Sequence, residues 1–399
     1  MAIVDSEPVL AYYGSDSVDD GRCFEVAGEE TTDRTVWPIY QARPEGISGY
    51  AETQFAEVLS LVQPRGLDIG AIDSSIRVAA AGGEAYNQGR NQLCSAHDLV
   101  LFGEDGSETT LVSDSGEVAV DAASDAGFAV GYFPSLAYNS GGTQGIIAYR
   151  DEHFGGIQSD DERRADLEAV LLDASGNRTQ VLAIDPGRGA GRYSDAVFDA
   201  NGTAYVAYVN DFEFDATSRG TLVARITGLQ SGDTEAIEIA RVGETTAEGP
   251  SIWIGADDRV RVAYYEESRG QVAIATLADE ESFDTGWETV FVGAAGYNEG
   301  QDPAGASFED GTIAVAYYRC GRVSSSTECD SREDGLVVAI RAPGEEEFEV
   351  ELVDPGEDTG RCGAYAALTF DDAGDLFAGY LCQTLIEGRL EDRVHVAVF

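Results

Sequence analysis

Short apolar runs alternate with tight polar turns along the whole chain. Five segments show the pattern best: 135–150 (SLAYNSGGTQGIIAYR), 194–209 (SDAVFDANGTAYVAYV), 250–265 (PSIWIGADDRVRVAYY), 304–318 (AGASFEDGTIAVAYY) and 364–381 (AYAALTFDDAGDLFAGYL). Each reads as an apolar strand, an Asp/Gly/Asn turn, and a second apolar strand ending in small and aromatic residues. That is the sequence form of an antiparallel hairpin. Weaker copies lie at 67–81 and 1–13. A second hairpin follows each first one, for example at 167–184, 221–240, 271–292 and 336–353. The repeating unit is therefore four strands, A to D. No segment sustains helical periodicity.

Taking Ala79, Ala148, Ala207, Ala263, Ala316 and Gly379 as equivalent points, the spacings are 69, 59, 56, 53 and 63 residues. A four-stranded repeat of this length predicts an all-β protein, a β-propeller of antiparallel blades. Counting Ala11 as the first copy gives seven blades, in a single domain over 1–399. The blades fall roughly at 1–63, 64–116, 117–186, 187–243, 244–295, 296–355 and 356–399. Residues 118–133 form another plausible A–B hairpin, either an insertion or the true inner pair of blade three. The last unit ends without a D strand. The N-terminal strand is expected to pair with the C-terminal one and close the ring.

The segments Gly191–Tyr208 and Gly249–Tyr265 resemble the repeat G-x-Y-x-S-L-A-x-D-x-x-G-x-P-x-V-A-Y-Y-D. That repeat is common in secreted bacterial propellers grouped with sialidase-like (BNR) repeats. The resemblance spans nearly the whole chain. It implies a propeller outside the cytoplasm and no particular chemistry.

In a propeller the A–B and C–D turns share one face, and the B–C and D–A loops share the other. Here the first set is mostly short, as at Asp257-Asp258, Glu309–Gly311 and Asp173–Asn177. The B–C loops are long, at about 14–34, 82–97, 151–166, 210–220, 319–334 and 382–392. Elaborated loops on one rim of a rigid scaffold mark that rim as the binding face. All six cysteines fall there. They allow 15 pairings, and the repeat register favours Cys23–Cys94, Cys320–Cys329 and Cys362–Cys382. Three bridges imply an oxidising compartment, hence a secreted, periplasmic or cell-surface protein. Free thiols or a metal site are the alternative. The absence of C-x-x-C and the presence of only three His speak against zinc. Residues Met1–Leu10 have no basic stretch or long apolar core, so the expectation is that a leader is absent from this chain.

Composition narrows the partners. The 399 residues carry 73 Asp and Glu against 25 basic residues, all arginine, for a net charge of −48. Such a body repels phosphate backbones and anionic bilayers, which excludes nucleic acid and membrane-surface binding. No apolar run is long enough for a helical membrane span. With 43% hydrophobic residues the chain is not a disordered acidic tail. The acidity suits a salty, halophilic setting in which screening tempers self-repulsion.

The chemistry-bearing positions cluster at the B–C loops. His97 with Asp98, and Arg150, Asp151 and His153, stand at consecutive blades; Asp211, Glu266 and Arg319 hold related positions. Together they form the candidate binding set. Asp16, Asp19 and Asp20 suit a structural Ca²⁺, although Val18 stands where the calcium-loop pattern needs a ligand. No cofactor is required. The tyrosines that end the B strands either present rings to sugars or pack between blades. Because neighbours in a strand face opposite ways, at least half should be core.

A sialidase-type enzyme would need an arginine cluster, a Tyr–Glu nucleophile pair and an acid Asp. Arg77, Arg150, Arg192, Arg259, Arg261, Arg319 and Arg361 could supply part of it. The Arg-Ile-Pro motif is absent, and Ser282–Trp287 is two residues short of an Asp box. No catalytic residue is assigned. The expectation is a monomeric, non-enzymatic extracellular module that binds a glycan or a protein through the B–C/D–A face. A sialidase-like glycoside hydrolase acting at the channel mouth, and a structural surface-layer component, are the alternatives.

Overall fold

A computed structural model describes residues 1–4, 7–13, 18–19, 23–26, 29–31, 35–45, 49–60, 66–72, 75–82, 98–112, 129–153, 164–187, 189–211, 219–229, 236–245, 249–293, 298–320, 334–355, 361–386 and 389–399. The protein is all-β, with seven antiparallel blades arranged as a β-propeller. Blade one comprises β1 (Ala2–Val4), β2 (Glu7–Tyr13), β3 (Val18–Asp19), β6 (Thr35–Glu45) and β7 (Gly49–Ser60). The ribbon β4 (Cys23–Val26) and β5 (Glu29–Thr31) forms a separate two-stranded sheet. Blade two is β8 (Leu67–Ile72), β9 (Ser75–Gly82), β10 (Asp98–Phe102) and β11 (Glu108–Val112). Blade three is β12 (Ala129–Tyr138), β13 (Gln144–His153), β14 (Arg164–Asp173) and β15 (Arg178–Asp185). Blade four is β16 (Arg192–Phe198), β17 (Ala204–Asn210), β18 (Gly220–Thr227) and β19 (Ala236–Gly243). Blade five is β20 (Ser251–Ile254), β21 (Val260–Glu266), β22 (Gln271–Leu277) and β23 (Trp287–Val292). Blade six is β24 (Asn298–Ser307), β25 (Ile313–Cys320), β26 (Gly335–Arg341) and β27 (Glu349–Pro355). Blade seven has three strands, β28 (Arg361–Phe370), β29 (Leu376–Ile386) and β30 (Arg389–Val398). By internal contacts the chain divides into two compact units. One is Met1, Val197–Val209 and Arg219–Phe399; the other is Ala2–Ala196 and Asn210–Ser218.

Two expectations need correction or sharpening. The N-terminal strand is the inner strand of its own blade: β1 pairs with β2 in the register Ala2↔Val9 to Val4↔Glu7. Among the described pairings, none joins the two chain ends, and blade seven stops at β30. A hairpin of neighbours closes a far shorter loop than a pairing across the chain, so it costs less entropy. The inner pair of blade three is β12 and β13, with Ser135↔Ala148 to Tyr138↔Gly145 in register. Residues 118–133 are thus not that hairpin; 129–133 belong to β12, and 118–128 lie outside the described residues.

The cores lie between successive sheets. Ile69, Ile76, Val78 and Phe102 of blade two pack with Val4, Val9 and Ile39 of blade one. The other face of blade two, with Leu99 and Leu101, packs on Leu136, Ile147 and Tyr149 of blade three. The same arrangement joins blades four and five, five and six, and six and seven. Small residues in the B strands allow this close stacking, with Ala79, Ala148, Ala207, Ala263 and Ala316 all fully buried. The B-strand tyrosines are core on both faces. Tyr149, Tyr208 and Tyr317 are fully buried, and Tyr264, Tyr265 and Tyr318 nearly so.

The polar letters of the repeat do structural work. Asp68 Oδ2 accepts from the Leu136 amide at 2.7 Å, and Ser135 Oγ accepts from the Ala196 amide at 2.9 Å. Ser251 Oγ accepts from the Gly305 amide at 3.2 Å in the same way. The Ser/Asp of G-x-Y-x-S thus satisfies an amide on the inner strand of the next blade, where no ladder partner exists. Burial raises the Asp68 carboxyl above its ordinary range. The turn aspartates act locally. Asp199 Oδ1 accepts from the Asn201 and Thr203 amides, Asp173 Oδ1 from Ser175 and Asn177, and Asp371 Oδ1 from Ala373 and Asp375. These are Asx turns, so much of the acidity on the short-turn face is hairpin chemistry.

Candidate functional site

In blades three, four, six and seven the start of the inner strand, at the loop-rich end, departs from regular β geometry. The ladder slips between Ala129 and Tyr132 and again between Tyr132 and Ser135; equivalent slips occur in β24 and β28. At Gly131 and Gly363 a side chain could not fit. A Cβ there would lie 2.9 Å from the Leu99 Cα and 2.6 Å from the Leu336 amide nitrogen. Two residues further on, the chain turns left-handed at non-glycine positions. Phe133 has φ 51°, Tyr193 φ 54°, Asp302 φ 47° and Tyr365 φ 52°. In blade two the same repeat position is Gly66, with φ 92°.

A left-handed aromatic residue is a backbone outlier. Such strain, at about 1–3 kcal/mol per residue, gathers at functional sites. The conformation is enforced locally: Ser194 Oγ donates to the Phe133 carbonyl at 2.5 Å, and Asp302 Oδ2 accepts from the Tyr365 amide at 3.2 Å. Tyr365 is 73% exposed, so burial offsets little of its strain. Tyr365→Gly is therefore expected to stabilise the fold by ~1 kcal/mol through release of the left-handed penalty. A raised denaturant midpoint would report it; an unchanged or lowered midpoint would contradict the strain.

Around the first two of these positions a compact group forms within one unit. The Phe133 and Tyr193 rings meet at 4.6 Å between centroids, tilted by 58°. The Arg192 guanidinium lies 4.6 Å over the Tyr193 ring and donates to its hydroxyl at 2.7 Å. Asp211 faces two arginines, with Oδ1 3.4 Å from Arg150 Nη1 and Oδ2 3.4 Å from Arg192 Nη1. Its amide donates to the Gly189 carbonyl at 3.1 Å. Arg192 and Asp211 are about one-third exposed and Arg150 is more buried. The result is an apolar ring pair bordered by two cations and a carboxylate, all partly open to solvent.

Asp98 and Asp151 are buried, at 7% and 3% exposure. Glu266 Oε1 caps its own turn, accepting from the Ser268 amide and hydroxyl. Arg319 Nε lies 3.5 Å from Glu299 Oε1. His97, Asp16 and Asp20 fall outside the described residues, as do the side chains of His153 and Asp19. Arg150 and Asp211 do come together. Phe133 and Tyr193 were missed as site residues; the signal available for them was the aromatic letter of G-x-Y itself.

Two buried Tyr–Glu pairs invite comparison with a glycosidase nucleophile. Tyr149 donates to Glu168 at 2.5 Å, and Tyr317 to Glu299 at 3.4 Å. All four residues are below 5% exposure. Burial, with Glu299 beside it, pushes the Tyr317 hydroxyl well above the usual phenol range. Sealed from solvent, neither pair can meet a sugar, so both are packing elements. Cys362 and Cys382 form a disulfide; Cys320 is disulfide-bonded, and no described cysteine is free. Cys94 and Cys329, and the side chain of Cys23, are outside the described residues. No helix among the described residues is long and apolar enough to cross a membrane.

Comparison with known proteins shows the fold alone. No family model and no curated protein matches the sequence. Among solved structures, a protein of unknown function from Dyadobacter fermentans aligns with a TM-score of 0.51 at 11% identity, over 84% of this chain and 94% of that one. A mutant Trypanosoma rangeli sialidase aligns at 0.47 and 10% identity, over 97% of this chain and 58% of that one. The Aleuria aurantia lectin in complex with Fucα1-6GlcNAc aligns at 0.42 and 13% identity, over 84% and 95%. At 11% identity the first of these shares the fold alone, and none carries an activity across.

Proposed function

We propose that the protein is an extracellular glycan-binding module, with its site at the loop-rich end where Phe133, Arg150, Arg192, Tyr193 and Asp211 meet. The carrying observation is the Phe133–Tyr193 ring pair, displayed at strained backbone positions beside a partly exposed Arg–Asp–Arg set. Tyrosine offers an apolar face and a polar tip. The apolar C–H face of a pyranose covers such a ring, while Arg192 and Asp211 donate to and accept from vicinal hydroxyls. Few polar groups at a mostly apolar patch are the general form of a small-ligand site.

The net charge of −48 disfavours anionic sugars, so the ligand is a neutral oligosaccharide. The repeat itself supplies the control variant, since Gly66 holds the equivalent backbone position without a ring. On a glycan array, wild type should retain neutral glycans, and Tyr193→Gly should bind them about tenfold more weakly, the loss expected for one stacked ring. Empty signals from folded wild type, or preference for sialylated and sulfated glycans, would overturn the reading.

A further inference from the structure

We propose that reduction of the Cys362–Cys382 disulfide opens a four-ligand site for a zinc-class divalent cation, formed by Cys362, Cys382, Asp354 and His395. The blade topology assembles these residues. β28 and β29 place Cys362 directly opposite Cys382. β30 lies on the other side of β29 and places His395 opposite Tyr380, two residues from Cys382 on the same face of the strand. β27 of blade six supplies Asp354. The spacings in sequence, 8, 20 and 13 residues, match no zinc motif. The ligands converge only through the fold.

The geometry suits a metal. His395 Nδ1 lies 3.5 Å from Asp354 Oδ2. Cys382 Sγ lies 3.6 Å from His395 Nδ1 and 3.7 Å from Asp354 Oδ2. These three atoms form a nearly equilateral triangle. A tetrahedral ion with ligand bonds of about 2.0–2.3 Å has edges of roughly 3.3–3.8 Å. One face of the coordination sphere is therefore in place. The Cys362 sulfur also lies within 4.8 Å of the Asp354 oxygen, and it becomes the fourth vertex once released. Tyr380 donates to Asp354 Oδ2 at 2.7 Å and fixes the carboxylate from outside the sphere. Both cysteines are buried, at 6% and 0% exposure, so the bound ion is shielded from water on the sulfur side.

The redox step balances with an external thiol. Two RSH molecules reduce the disulfide to two cysteine thiols and leave as RSSR. The cation then displaces the two thiol protons and binds the thiolates. While oxidised, the sulfurs are committed to each other, and only Asp354 and His395 remain as donors. Blade seven, which has three strands, is thus clasped in either state, by a covalent bond or by a metal.

The test uses the full chain, unfolded with phosphine reductant and refolded anaerobically with Co²⁺ as the probe. The proposal predicts one equivalent of bound cobalt with thiolate charge-transfer and tetrahedral d–d absorption, displaced by Zn²⁺. Air-oxidised protein should show neither band. Tyr380→Phe should weaken binding by about 10- to 100-fold, and His395→Ala and Asp354→Ala should weaken it further. The bands should vanish in the double variant Cys362→Ser, Cys382→Ser. Bands that survive in that variant place the metal on other thiols, and bands unchanged in His395→Ala place it on sulfur alone; either result overturns the proposal. So does an absence of bands, or a reduced chain that Co²⁺ fails to refold.

Discussion

Asp257→Ala is expected to destabilise the fold by about 3 kcal/mol, the low end for leaving a buried charge without its partner. Asp257 accepts a two-pronged hydrogen bond, Oδ1 from Arg261 Nη1 and Oδ2 from Nη2, each at 2.7 Å. The Arg261 side chain is 8% exposed, whereas Asp257 is half in solvent. Loss of the carboxylate leaves a buried guanidinium with the Arg259 carbonyl at 3.3 Å beside it. Arg341, whose guanidinium is pushed down by burial and by the charge of Arg261, would then face an uncompensated neighbour. Replacing both partners, Asp257→Ala with Arg261→Met, should recover most of the loss, because the uncompensated charge goes too.

The same pair shapes the acid limb. Hydrogen bonding from Arg261 holds the Asp257 carboxyl below the usual carboxylate range. Its folded value is lowered, so its stabilisation is present above the unfolded value near 4 and is lost as pH falls through the folded value. Denaturation of wild type and Asp257→Ala at pH 7 and pH 2 should show the difference between them shrinking in acid. A constant difference would contradict the assignment.

Removing the disulfide, as Cys362→Ala with Cys382→Ala, is expected to cost about 3 kcal/mol under oxidising, metal-free conditions. The bridge spans 20 residues, and closing a loop of that length in the unfolded chain accounts for this much. The effect should centre on blade seven, whose sheet among the described residues is β28, β29 and β30. Hydrogen exchange should show earlier opening of β28 in the variant than in wild type. Equal protection would mean that packing of Leu376, Ala378 and Tyr380 against blade six holds the strands without the bridge.

The fold is legible in the sequence because its unit is local. Each A–B hairpin closes over a few residues, and the turn aspartates mark where. The ends are less legible. Ala2–Val4 reads as an apolar edge strand that suits either its own blade or the last, and the pattern cannot choose between them. Residues 118–133 alternate as a hairpin should, yet the bulges at Gly131 and Phe133 belong to the start of β12.

The candidate site is harder still. Arg150 and Asp211 lie 61 residues apart and meet only through blade order. The carboxylates of the hairpin turns look in sequence like metal ligands, whereas Asp173, Asp199 and Asp371 are occupied with backbone amides. Tyrosine shows the same ambiguity. Those ending the B strands are core, and those at the left-handed start of the inner strands reach solvent or its edge. Only their place in the repeat separates the two groups.

The central claim is that the rings at the G-x-Y position stack on sugar. Saturation-transfer NMR tests it most directly, with aromatic protons of the folded protein irradiated in the presence of a neutral oligosaccharide retained on the array. Strong transfer is expected to the C–H protons of one pyranose face, lost in Tyr193→Gly. Uniform transfer over the sugar, or transfer unchanged in that variant, would contradict it.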